Sequence, residues 1–132
     1  MIKKIDVRTK GRDDLVDITR QVEDALRETG IKDGLCVVYI PHTTAGVTIN
    51  ENADPSVGRD LLMAMARAVP DSLPFTHGEG NSRAHVKASL IGSSASVFVE
   101  DGRLRLGTWQ GIYLCEFDGP RERRVLVQVI PA

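Results

Sequence analysis

The last forty residues constrain this chain most. They hold a series of short β-forming runs punctuated by turn residues. SVFVE (96–100) leads into Asp101-Gly102, a dipeptide suited to the tight turn of a hairpin. RLRLG, IYLCEF, Asp118-Gly119-Pro120 and RVLVQVI follow in order, which predicts strands joined as a meander. A chain that ends this way must cover a sheet, and the first two thirds must supply the cover.

DITRQVEDALRETG (17–30) reads as a helix, with Asp17 or Thr19 able to cap its start and Gly30 its end. Its apolar stripe is Ile18, Val22, Ala25 and Leu26. ADPSVGRDLLMAMARAVP is a second helix, with Asp54 as N-cap, Pro55 in the first turn and Pro70 beyond the end. Val57, Leu61, Ala64, Met65 and Ala68 recur at helical spacing, and Met63 and Met65 read as core filling. A shorter helix is expected from Ser82 to about Leu90, capped by Asn81 or Ser82 and followed by Gly92.

Residues 2–8 alternate weakly through Ile2, Ile5 and Val7, and Val47 to Asn50 form another short strand. Leu35 to Ile40 is apolar on both faces, which suggests a central strand, stopped by Pro41. The sum is an α+β fold with a largely antiparallel sheet, in one domain spanning 1–132. At 132 residues such a domain buries roughly two thirds of its unfolded surface.

With 17 basic and 18 acidic residues the net charge is -1, and no run of one sign stands out. That surface does not attract nucleic acid or an anionic membrane. The cluster Arg121, Glu122, Arg123, Arg124 reads as a solvated hairpin tip. MIKKIDVRTK lacks the apolar core of a signal peptide and no segment could span a bilayer, so a cytoplasmic protein is expected. Cys36 and Cys115 lie in apolar runs without CxxC spacing and read as buried thiols.

The polar residues cluster in two places. FTHGEGNSRAHVKAS (75–89) carries His77 and His85, and His42 opens HTTAG after Pro41. Imidazole is the commonest transition-metal ligand, and three around an open position would activate a water or polarise a substrate. The spacing lacks the one-turn separation of HExxH, so a joint site and three independent surface histidines both stay open. Glu51, in TINENADPS, has no capping duty and is a candidate general base or histidine-orienting partner. Glu79 is a candidate of the same kind, or simply solvated. GEGNS before a helix start, with Asn81, Ser82, Arg83 and Lys87, could hold a phosphate. Trp109, beside Gln110 in GTWQG, is either a core residue or a site wall.

In order and spacing, PHTTAGVTINENADPSVGRDL, HGEGNSRAHVKASLIGSS and VEDGRLRLGTWQGIYLCEFDGPR resemble the YjbQ-like family from about Lys4 to Ile130. Gly102, Gly107, Trp109 and Gln110 fall at the family's places, and His42, His77, His85, Glu51, Asn81 and Lys87 match motif positions. The resemblance implies an α+β domain with a β-sandwich-like core, assembled as a homotrimer. It also implies a metal or ligand site lined by His42, His77 and His85. Members are often labelled secondary thiamine-phosphate synthases, which join hydroxymethylpyrimidine diphosphate to a thiazole phosphate and release pyrophosphate.

On that expectation Glu51, His85 and Lys87 are the catalytic candidates. Asn81, Ser82, Arg83, Lys87, Trp109 and Gln110 would bind a small phosphorylated metabolite. Histidines suit zinc or another transition metal, whereas diphosphate chemistry more often uses magnesium, which prefers oxygen ligands. The alternatives are a metal-dependent hydrolase with Glu51 as base, and a non-catalytic trimer that binds a metal or phosphometabolite.

Overall fold

The computed structural model describes residues 1–132, and every strand pair in it is antiparallel. In chain order the elements are β1 (Lys3–Arg8), β2 (Asp14–Asp17), α1 (Thr19–Thr29), β3 (Gly34–Tyr39), β4 (Ala45–Glu51) and α2 (Pro55–Ala68). They continue with α3 (Ser82–Ile91), β5 (Ser94–Glu100), β6 (Arg103–Leu104), β7 (Gln110–Glu116) and β8 (Glu122–Pro131). One sheet runs β1-β8-β3-β5-β6 and the other β2-β7-β4. The architecture is α+β, with the two sheets and α1 enclosing the main core.

That core follows from period-two alternation. Cys36 and Val38 from β3, Val97 and Val99 from β5, and Val125, Val127 and Val129 from β8 point inward from the first sheet. Val47, Ile112 and Leu114 meet them from the second, and Val22, Ala25 and Leu26 fill in from α1. A smaller cluster of Ala84, Ala88, Cys115 and Phe117 lies on the other face of the second sheet, under α3. Burial pushes the Cys36 thiol up to about 11 and Cys115 up to about 12, so both stay protonated.

Several expectations need correcting. The C-terminal strands are not a meander, because only β5 and β6 form the expected hairpin across Asp101 and Gly102, both at positive φ. β7 has residues buried on both faces, Ile112 and Leu114 toward the main core and Cys115 toward α3, so it is the centre of the second sheet. β2 was not expected at all; four residues are too few to show a pattern. α2 buries none of its residues, and Met63 is exposed rather than core filling. Met65 alone of the two packs, against the smaller cluster.

β3 is central, yet its second face is uncovered. Leu35 is paired with Phe98 on one side and Ile130 on the other, and Phe98 is 74% exposed. An open depression of about 600 Å³ runs along these three residues.

Candidate functional site

The β3–β8 register positions the first histidine. Continued past Tyr39↔Leu126, it sets Pro41 opposite Arg124, with His42 one residue on. The Arg124 backbone N–H donates to His42 Nε2 at 2.9 Å. Nε2 is therefore the unprotonated nitrogen and Nδ1 carries the proton. Burial and the nearby Arg123 charge hold the His42 pKa below its ordinary value, which favours this neutral form.

His85 sits on α3, one turn after Asn81, and His77 lies in the loop that leads into that helix. The loop closes with the Gly80 N–H donating to the His77 carbonyl, and Gly80 holds a φ of 73°, where a side chain would be strained. The two rings meet edge to face with centroids 5.5 Å apart. His42, His77 and His85 thus open on one cleft of about 520 Å³, walled also by Thr43, Thr44, Glu79, Asn81, Asp118 and Arg121.

Beneath the cleft lies an ion pair that sequence reasoning missed. Glu116 is fully buried and accepts hydrogen bonds from Arg123 Nε, Arg123 Nη2, Thr9 Oγ1 and the Asp118 backbone N–H. Arg123 also donates to Thr44 Oγ1 at 2.8 Å. Burial alone would raise the Glu116 pKa, but the bonds from Arg123, Asp118 and Thr9 outweigh it and the net shift is downward. The basic cluster is therefore not simply a solvated tip. The signal was present in the sequence: Arg123 shares parity with Val125, Val127 and Val129, and Glu116 with Ile112 and Leu114.

Asn81 Nδ2 donates to Asp118 Oδ2 at 2.8 Å, and Arg121 donates to the same oxygen at 3.0 Å. Burial pushes the Asp118 carboxyl up, and these two bonds bring it below its usual value. The Asn81 Oδ1 is buried at the cleft without a partner.

The other expected residues lie elsewhere. Lys87 is about 200° around α3 from His85, so it faces away from the cleft. It is buried, bonds Asp13 at 2.9 Å and lies 5.8 Å from the Phe117 ring centre. Arg83, on the same face, donates to Asp13 and to the Phe117 carbonyl, and its Nε lies 2.9 Å from Asp71 without hydrogen-bond geometry. Ser82 opens α3 without lining the cleft. Glu51 pairs with Gln110 at the far end of β4 and β7, whereas Ala45, next to the cleft, pairs with Glu116. Six residues of strand separate those ends, roughly 20 Å. Trp109 is at the far end too, 62% exposed, its carbonyl accepting from Asn52. It is neither in the core nor a wall of this cleft.

Within one chain no three His, Cys, Asp or Glu side chains converge closely enough to hold a metal. The donors nearest to doing so are His77 and His85. With metal–nitrogen distances of about 2.0–2.1 Å, two imidazoles on a tetrahedral ion have ring centres roughly 5 Å apart. The observed 5.5 Å is near that spacing, in an edge-to-face contact, and His77 Nε2 also lies 3.9 Å from Glu79 Oε1. His42 as it stands does not complete the set, because its Nε2 holds the Arg124 N–H.

A family model described as UPF0047 protein YjbQ-like matches residues 3–132. A UPF0047 protein of Methanocaldococcus jannaschii is 51% identical over 130 residues, covering 98% of this chain and 94% of that one. YugU of Bacillus subtilis is 52% identical over 131 residues, covering 98% and 99%. Among solved structures, a YjbQ/UPF0047 protein of Clostridium acetobutylicum superposes with a TM-score of 0.95 at 52% identity, covering 97% of this chain and 99% of that one. A protein of unknown function from Sulfolobus solfataricus gives a TM-score of 0.95 at 35% identity, covering 100% and 97%.

Proposed function

This chain belongs to the YjbQ-like UPF0047 family, and from that premise we propose an enzyme that acts on a phosphorylated small metabolite at the His42–His77–His85 cleft. One observation carries the reading: imidazoles from three separate segments open on a cleft whose remaining walls, Pro41 apart, are polar or charged. The reaction we assign is of the thiamine-phosphate synthase type. The nitrogen of a thiazole phosphate attacks the methylene carbon of hydroxymethylpyrimidine diphosphate, forming a C–N bond. The C–O bond breaks, and pyrophosphate leaves with the electron pair.

Each group then has a task. His42, with Nε2 fixed by Arg124, keeps its proton on Nδ1 and donates it as a hydrogen bond to a phosphate oxygen. Arg121, half exposed at the rim, is already paired with Asp118 and can offer a phosphate only its remaining N–H groups. His77 and His85 would hold a divalent transition-metal ion, which when bound supplies charge against the leaving diphosphate. Magnesium, with its preference for oxygen, would arrive on the diphosphate instead. No substrate-holding task falls to Lys87 or Arg83, which Asp13 already occupies. A phosphorylated substrate and two unpaired buried cysteines suit the cytoplasm, and no helix is long and apolar enough to cross a membrane.

We also assign a homotrimer, with the uncovered Leu35, Phe98 and Ile130 face as its contact. Light scattering checks this, and Phe98→Lys should release monomers. A wild-type monomer would refute it.

The transfer reaction is tested by incubating the purified protein with both substrates and measuring thiamine phosphate. Activity lost in His77→Ala and His85→Ala supports the assignment; activity unchanged in both removes this cleft as its seat. One observation favours hydrolysis as a second reading. Glu79 lies 3.9 Å from His77 Nε2, a pairing that could activate water. Release of inorganic phosphate from a phosphomonoester, abolished by Glu79→Gln, would select it.

A further inference from the structure

The Glu116 carboxylate is fully buried and walls none of the cleft, yet hydrogen bonds lead from it to three sides of the histidines. One arm runs through Arg123, whose guanidinium joins Glu116 to the Thr44 hydroxyl, each at 2.8 Å. Thr44 is held a second time, because its carbonyl accepts the Phe117 N–H at 3.1 Å. His42 lies two residues before Thr44, and its Nε2 accepts the N–H of Arg124, next in the chain after Arg123. A second arm runs through the Asp118 N–H, which donates to Glu116 Oε2 at 3.0 Å. Asp118 Oδ2 in turn accepts from Asn81, the residue before α3, the helix that carries His85. The third arm is Thr9 Oγ1, which donates to Glu116 and accepts the Arg121 N–H at 2.9 Å. Backbone closes over the carboxylate at Gly119, where a Cβ would lie 2.8 Å from Glu116 Cγ.

We propose that Glu116 is a positioning residue: through these arms it holds the His42 segment and the start of α3 in one arrangement. It touches no ligand itself. By fixing Thr44 beside Arg123 it keeps the His42 ring on the Arg124 N–H, and so keeps the proton on Nδ1. This rests on the reading of the histidines as an anion-holding site. An ion pair serving stability alone would need no bonds to the cleft walls. Here Arg123 also grips Thr44, and Glu116 also grips the Asp118 amide. An apolar pair of the same volume restores packing but none of those bonds.

Glu116→Gln combined with Arg123→Met therefore separates position from stability, since it removes both buried charges and keeps the volume. Thr44→Val cuts the first arm alone and leaves the ion pair in place, whereas Thr44→Ser keeps the hydroxyl. Imidazole nitrogen NMR reads the His42 tautomer, and titration calorimetry reads affinity for inorganic phosphate. The wild type should show His42 protonated at Nδ1 only. The double variant, folded by circular dichroism, should show His42 divided between its tautomers. It should bind phosphate about tenfold more weakly, the worth of one hydrogen bond to a charged group. Thr44→Val should move both readouts the same way by less, and Thr44→Ser should match the wild type. If the double variant is unfolded, Thr44→Val carries the test by itself. A single Nδ1–H tautomer with wild-type phosphate affinity in the folded variants overturns the inference and leaves the anion cleft standing. Failure of the wild type to bind phosphate overturns the anion reading instead, and a tautomer change in the variants would still uphold the positioning of His42.

Discussion

Replacing Glu116 by Gln removes a buried charge while preserving shape, and the geometry makes the change costly in either orientation of the amide. Each carboxylate oxygen accepts two hydrogen bonds: Thr9 Oγ1 and Arg123 Nε on one, Arg123 Nη2 and the Asp118 N–H on the other. An amide NH₂ on the second oxygen's side faces two fixed donors, and on the first it faces the Arg123 Nε–H, although the Thr9 hydroxyl can turn to accept from it. The buried Arg123 guanidinium also loses its only ionic partner. Stranding one member of such a pair costs about 3–5 kcal/mol. With a urea dependence of about 2 kcal/mol per molar, the unfolding midpoint should fall by about 1.5–2.5 M. Adding Arg123→Met should recover much of the loss, because the cost is that of the unpaired charge and the two changes are coupled by about 2 kcal/mol or more.

The same pair sets an acid limit. Glu116 has a folded pKa below its unfolded value of about 4.3. Its contribution is complete above that value and is lost as pH falls through the folded one. Glu116→Gln should flatten that part of the stability profile. A loss below about 1 kcal/mol, or strict additivity with Arg123→Met, would refute the reasoning.

Three further outcomes follow from the packing. Asp13→Ala should cost about 3 kcal/mol in denaturant unfolding, since Lys87 loses its one carboxylate while buried. Lys87→Met should cost distinctly less, because it removes the buried charge and keeps the volume; a reversed order would contradict the account. Gly46→Ala would set a Cβ 2.6 Å from the Gly92 carbonyl oxygen, with a loss of about 1–3 kcal/mol by the same assay. Iodoacetamide at pH 8 should label neither Cys36 nor Cys115 until the chain is unfolded, as mass spectrometry would show.

How much of this was legible in the sequence depends on the kind of signal. Helix ends were legible where capping chemistry is local: Asp54 accepts the Ser56 N–H before α2, and Gly30 closes α1 in the left-handed conformation. Strand pairing was not, because register is long-range, and nothing in IYLCEF tells whether it joins RLRLG or crosses to the other sheet. The distance between Glu51 and the histidines likewise follows from the length of β4, not from their closeness in sequence. Two misplacements were avoidable. Helical periodicity already sets Lys87 opposite His85, and strand parity already sets Glu116 and Arg123 among inward valines and leucines. Charge alone suggests a solvated tip for Arg123 and a phosphate ligand in Lys87, whereas their positions along the pattern, like that of Glu116, are those of the core.

The central claim is that the histidine cleft is a joint site rather than three neighbouring side chains. Zinc titration of the chelator-stripped protein, followed by calorimetry in wild type, His77→Ala, His85→Ala and His42→Ala, tests it most directly. The account predicts one ion per cleft in the wild type, with binding abolished by either of the first two substitutions. His42→Ala should weaken it less, since Nε2 is held by Arg124. Absence of zinc binding by the wild type, or binding untouched by His77→Ala and His85→Ala, would contradict it.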